Sequence, residues 1–168
     1  MSIRSIAHVV VLAVLATLLA GCSSVTPGGT ISAGKPLQLR LVVSSSAGTC
    51  SAPAATSDSP ASVCDNAGTT TYELAKPLGT VTPVSVLFAK DQGSAHSVTL
   101  ELNKADARTL GDVSREAVDK HLAIVLDGRV LSAPLVQEPL TMSTLTLAFG
   151  TSTEAKQAAA ELTASKTP

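Results

Sequence analysis

The sequence predicts an α+β domain over residues 37–164, an antiparallel sheet with two helices packed on one face. Three observations carry this expectation. Apolar residues recur with a period of two in several runs between Leu37 and Phe149. The dipeptide Asp127-Gly128 joins two such runs as a tight turn. Two further stretches, Lys104 to Lys120 and the one opening at Thr151, switch to helical spacing, each after a set of strands.

The first strand begins after Pro36, where Leu37, Leu39 and Leu41 alternate with Gln38, Arg40 and Val42, the pattern of a half-buried strand. Ser51 to Val63 then carries no helical or strand period. A short strand is expected near Thr70 to Leu74, followed by the breakers Pro77, Gly79 and Pro83. Val84 to Ala89 and Ser97 to Leu102 read as an antiparallel pair joined through Lys90 to Ser94, with Val98, Leu100 and Leu102 on one face.

Asn103 is placed to cap the helix Lys104 to Lys120, where Ala107, Leu110, Val113 and Ala117 share a face and Gly111 is a point of breakage. Leu122 to Leu126 is a continuous apolar run, and Arg129 to Val136 returns from the Asp127-Gly128 turn. Pro134 lacks a donor, so the return strand is expected to bulge or lie at an edge there. In the last strand, Ser143 to Phe149, Leu145, Leu147 and Phe149 face inward. Thr151 and Glu154 have capping-box spacing ahead of a helix that buries Ala155, Ala158, Ala159 and Leu162.

Ahead of the domain, residues 1–21 read as an export signal: Arg4, then the apolar stretch Val9 to Ala20, too short at roughly 18 Å to cross a hydrocarbon core of roughly 30 Å. It ends in Leu19-Ala20-Gly21-Cys22, which resembles the lipobox of bacterial lipoproteins and makes Cys22 the expected lipid attachment site. Two or three acyl chains, at about 0.8 kcal/mol per buried methylene, would hold the protein on the extracytoplasmic side of the cell membrane. Residues 22–36, rich in Ser, Gly and Pro, read as a flexible tether. Acylation of Cys22 leaves Cys50 and Cys64 as an even pair, expected to form a disulfide in an oxidising compartment.

Composition excludes several functions. Of the 168 residues only 2 % are aromatic and the net charge is −1, which removes both the stacking platforms and the basic excess that nucleic-acid binding uses. His96 and His121 stand without a CxxC or HExxH arrangement, so no metal is expected. Asp127 is explained by its turn, and Ser132 lacks the context of a nucleophile elbow. The alternating signs along Lys104 to Lys120 read as a solvated helix face. No glycine-rich phosphate loop occurs, and no cofactor or enzymatic activity is expected.

The segments Tyr72-Glu-Leu74, Val84 to Phe88, Val98-Thr-Leu100, His121 to Pro134 (HLAIVLDGRVLSAP) and Phe149 to Ala155 (FGTSTEA) together resemble the head subdomain of the first extracytoplasmic domain of SecD, the accessory subunit of the protein-export translocase. The resemblance covers residues 37–163, and the cysteine-bearing insertion before Tyr72 is similar to one in some SecD heads. His96 and its neighbours stand where such heads commonly carry Trp, and Met142-Ser143 replaces a Gly-containing turn. No counterpart is expected here for the membrane-spanning helices and base subdomain of SecD, so proton-driven pulling does not carry over. The resemblance implies a non-enzymatic head that touches exported polypeptide or an envelope membrane protein. An open strand edge near Pro134 or an apolar patch would serve that contact. The alternative is a small-ligand carrier or hydrolase built on the same module.

If Cys22 carries the lipid, Cys22→Ala moves the protein from the membrane fraction to the soluble fraction while leaving the domain folded, read by cell fractionation and by circular dichroism.

Overall fold

A computed structural model of the chain describes residues 33–89 and 96–163. The export signal, Cys22, most of the tether and the connector Lys90 to Ser94 lie outside these residues. The elements run β1 (Leu37–Ala47), β2 (Ala61–Cys64), β3 (Thr70–Val81), β4 (Pro83–Ala89), β5 (His96–Leu102), α1 (Lys104–Glu116), β6 (Leu122–Leu126), β7 (Arg129–Ser132), β8 (Thr144–Phe149) and α2 (Ser152–Thr163). All strand pairs are antiparallel, and the class is α+β as expected.

The strands form two sheets, in the orders β2-β3-β1-β6-β7 and β4-β5-β8. The division arises because β3 runs on into β4 with only Thr82 between them, so one continuous length of chain leaves the first sheet and enters the second. β3 passes through Pro77 and Gly79, which the sequence marks as breakers. Two features accommodate them. The β1 pairing slips by a residue opposite Pro77 and Gly79, and β2 pairs only with Thr71 to Leu74, so β3 has no β2 neighbour at the proline. Gly79 also admits α1 closely: a Cβ there would lie 2.8 Å from Thr109 Cγ2.

Local signals hold where they concern a single element. Asn103 Oδ1 accepts from the N–H groups of Ala105 and Asp106 at 2.8 and 3.0 Å. Glu154 N–H donates to Thr151 Oγ1 at 3.2 Å while Glu154 Oε2 accepts from Thr151 N–H at 3.3 Å, a complete capping box. α1 ends at Glu116, four residues before the expected Lys120, and the chain turns through Asp119 in the left-handed region. Gly111 does not break it. A Cβ at Gly111 would stand 3.2 Å from Leu140 O, and the buried Ser114 Oγ accepts from Leu140 N–H at 2.8 Å, so the loop before β8 lies hard against the helix.

The first sheet separates two apolar layers. Leu37, Leu39, Leu122, Ile124 and Leu126 join the larger core with α1, α2 and the inner face of the second sheet. Val63, Leu74, Ala123, Val125 and Val130 form a smaller core on the other side. β6 alternates between the two, which is why its five residues are all buried and read as one continuous run. The outer strands β2 and β7 approach each other, since Asn66 N–H donates to Val130 O at 3.2 Å, and the sheet curls around the smaller core.

The segment Cys50 to Ser59 covers that core, and here the expectation for Arg40 is overturned. The outward-facing arginine of a half-buried strand is 0 % exposed. Its Nη1 donates to Ser59 O at 2.8 Å and its Nη2 to Ser57 O at 2.6 Å, while Gln38 Oε1 accepts from Nε and Nη2 at 3.1 and 2.9 Å. Burial lowers its pKa from the usual guanidinium value, and nearby Asp58 opposes that shift. The segment is not patternless throughout, because Ala61–Cys64 pairs with β3 as β2.

Gly34 and Lys35, which composition assigns to the tether, donate backbone N–H groups to Pro83 O and Leu162 O, each at 2.8 Å. The ordered domain thus starts before Leu37. Arg40→Met removes the cation and leaves two loop carbonyls without a donor; it should cost about 2–4 kcal/mol in urea unfolding and strip hydrogen-exchange protection from residues 55–59 before the rest of the domain.

Candidate functional site

Cys50 and Cys64 are bonded, with Cα atoms 5.6 Å apart. The bridge closes the covering segment over Arg40, and Ala55 N–H donates to Gly128 O at 2.9 Å. Gly128 is required there twice over: its φ is +79°, and a Cβ would stand 2.5 Å from Ala55 O. Asp127, in the left-handed region beside it, pairs with Lys35 Nζ at 2.8 Å, so its carboxylate ties the turn to the start of the domain. The ion pair has no signal in the local sequence.

His121 Nδ1 lies 2.8 Å from Ala133 O, a strand-end contact. Among the described residues no group of three or more His, Cys, Asp or Glu side chains is gathered as a metal site would be. Asp65 is likewise structural. Its carboxylate accepts from Thr69 N–H at 2.7 Å, Thr69 Oγ1 at 2.9 Å and Thr70 N–H at 3.2 Å, bracing the β2–β3 turn. Burial pushes its pKa up, but these hydrogen bonds outweigh burial and the net shift is downward.

What the domain offers to a partner is backbone. The edge near Pro134 is interrupted: Pro134 has no N–H, Val130 O is taken by Asn66 N–H and Ala133 O lies 2.8 Å from His121 Nδ1, while Pro134 O is turned inward to Leu122 N–H of β6. β4 opens with Pro83, whose carbonyl accepts from Gly34, and its register slips at Val84. β8 is different. It lies at the end of its sheet, keeps an unbroken register with β5, and its residues Thr144–Phe149 include no proline and no charge. Proline, charge and breaks in register are the devices by which edge strands are ordinarily protected, and β8 has none of them. Leu145 and Leu147 face the core as the period-two reading predicts, leaving Thr144, Thr146 and Ala148 outside.

Each end of β8 meets a depression. At Phe149 a cleft of about 170 Å³ opens between the β2–β3 turn, β7, β8 and α2, its lining divided between apolar Val130, Leu131 and Ala158 and polar Asp65, Asn66 and Glu154. At Ser143 a groove of about 640 Å³ runs between α1 and the loop before β8. Met142 is 65 % exposed and Leu135 50 % exposed. Among the described residues the outer side of β8 has no strand neighbour, and such an edge beside a cleft can take an extended chain by strand addition, with one side chain seated in the cleft.

The depressed Asp65 pKa gives a stability contribution fully present above the unfolded carboxyl value of about 3.9 and lost as pH falls through the lower folded value. Asp65→Asn removes that dependence. Between pH 7 and about pH 3 the urea midpoint of the wild type should fall further than that of the variant; equal falls would contradict the assignment.

Comparison with known proteins bears on the same region. The family model described as SecDF, P1 head subdomain, matches residues 80–168. The protein translocase subunit SecD of Rickettsia bellii is 42 % identical over 50 residues, covering 30 % of this chain and 10 % of that protein. SecD of Acidaminococcus fermentans is 43 % identical over 51 residues, covering 30 % of this chain and 12 % of that protein. The matched stretch is thus a small part of either relative. A solved structure described as a membrane component SecDF that enhances protein export superposes with a TM-score of 0.50 at 19 % identity, covering 77 % of this chain and 62 % of that one, and so shares the fold. With more than half of its length matched by the family model, over the strands and helices that carry β8 and its two depressions, the chain belongs to the family of the SecDF P1 head subdomain.

Proposed function

We propose that this chain is a membrane-anchored extracytoplasmic lipoprotein whose head domain binds extended polypeptide and catalyses no reaction, accessory to protein export or envelope assembly. Residues 1–21 direct export, acylated Cys22 anchors the chain, residues 22–36 supply most of a tether, and the domain follows to residue 164. The anchor reading is supported by Leu19-Ala20-Gly21-Cys22 after a short apolar stretch. No helix among the described residues is long and apolar enough to cross a membrane.

The observation that carries the binding function is the unprotected β8 edge on a domain of the SecDF P1 head family. Strand addition reads main chain rather than sequence, which suits a partner that is unfolded and variable. The relatives are translocase subunits by description, and the polypeptides of export have that character.

A photo-crosslinker at Thr146, on the exposed side of β8, should capture a reduced, unfolded secretory reporter added to the full-length protein in neutral vesicles. The same group at exposed Lys156 on α2 should not. Equal capture at both positions, or conversion of the reporter to a chemically altered product, would overturn the proposal.

A further inference from the structure

The charges on α1 sort by helix angle in a way their linear alternation hides. At about 100° per residue, Lys104, Arg108 and Arg115 fall within about 40° of arc. They line one wall of the groove at the start of β8, and Leu140, Thr141 and Ser143 line the other. Asp112 also reaches this groove, bonded to Arg115 Nη1 at 2.6 Å. Among the described residues Lys104 and Arg108 make no ion pair.

Arg115 serves the helix, through Asp112 and its place in the last turn, but Lys104 and Arg108 do not. Lys104 and Arg108 are like charges at i,i+4, which repel, and Lys104 sits in the first turn, where the helix dipole disfavours a cation. The opposite wall is fixed at both ends, by Leu140 N–H on Ser114 Oγ at 2.8 Å and by Leu102 N–H on Ser143 O at 2.8 Å. The groove is therefore built in advance of any ligand. Its far wall ends at Ser143, the residue before β8, so it lies next to the start of the strand assigned above to polypeptide.

We infer that this groove holds an acidic stretch of an extended polypeptide, the carboxylates meeting Lys104 and Arg108. The inference rests on the polypeptide-binding reading and adds the class of segment the domain prefers. Lys104 and Arg108 are about 6 Å apart along the helix, which an extended chain at about 3.3 Å per residue spans in two residues. Carboxylates at i and i+2, which point to the same side of an extended chain, match that spacing.

The test uses the full-length protein in phosphatidylcholine vesicles and a fluorescent peptide with aspartates at that spacing, compared with its asparagine counterpart by anisotropy. The aspartate peptide should bind at least about ten-fold tighter, the difference shrinking in high salt. Lys104→Gln with Arg108→Gln should erase the preference without lowering the thermal unfolding temperature, and Lys104→Arg should retain it. If both peptides bind equally, this inference fails and polypeptide binding stands. If neither binds, both fail. If only vesicles containing phosphatidylglycerol reveal a difference between wild type and the double variant, the stripe serves the membrane and the inference is overturned.

Discussion

The arrangement depends on a cation kept dry. Arg40 stands in the middle strand of the first sheet with its guanidinium fully enclosed, and its partners are neutral: the Gln38 amide and the carbonyls of Ser57 and Ser59. A guanidinium has five N–H donors and cannot shed its proton, so burying it demands acceptors aimed inward from whatever covers it. That requirement explains the character of the covering segment. A strand or helix would spend its carbonyls on itself, whereas an irregular loop has them free. The disulfide holds the loop closed, and its Ala55 N–H is bonded to the Asp127-Gly128 turn.

This covering separates stability from contact. On one side of the first sheet lie the smaller core, Arg40, the disulfide and the Asp65 turn, where polar groups are occupied by bonds within the domain. The second sheet carries the regular, uncharged β8 edge, and the cationic groove runs along α1 beside its start. The cleft at Phe149 lies where the two sheets meet, with Asp65 and Asn66 of the β2–β3 turn and Val130 of β7 in its lining. The passage of β3 into β4 through Thr82 is what carries the chain from one sheet into the other.

Much of this was legible in the residues alone. Asn103, the Thr151–Glu154 box, the Asp127-Gly128 turn and the inward set Leu145, Leu147 and Phe149 announce themselves within a few positions, and the even cysteine pair required only the removal of Cys22. The charges of α1 were legible too, but only when sorted by helix angle rather than read in order. Pro77 and Gly79 misled, since their effect on β3 depends on a slip in β1 and on where β2 stops.

By itself the sequence determined most of the elements, their caps and turns and the α+β class, because those follow from interactions between residues about four apart or fewer. The tertiary structure alone decided that Arg40 is inside, that Ala61–Cys64 is a strand, that the strands divide into two sheets, and that the edge near Pro134 is interrupted while β8 runs unbroken along β5. Each of these turns on partners far along the chain: Ser59 and Ala75 stand 19 and 35 positions from Arg40, and His121 stands 12 from the Ala133 carbonyl it covers. No local period records such pairings, since what fixes them is the need to give every buried polar group a partner once the chain has closed on itself.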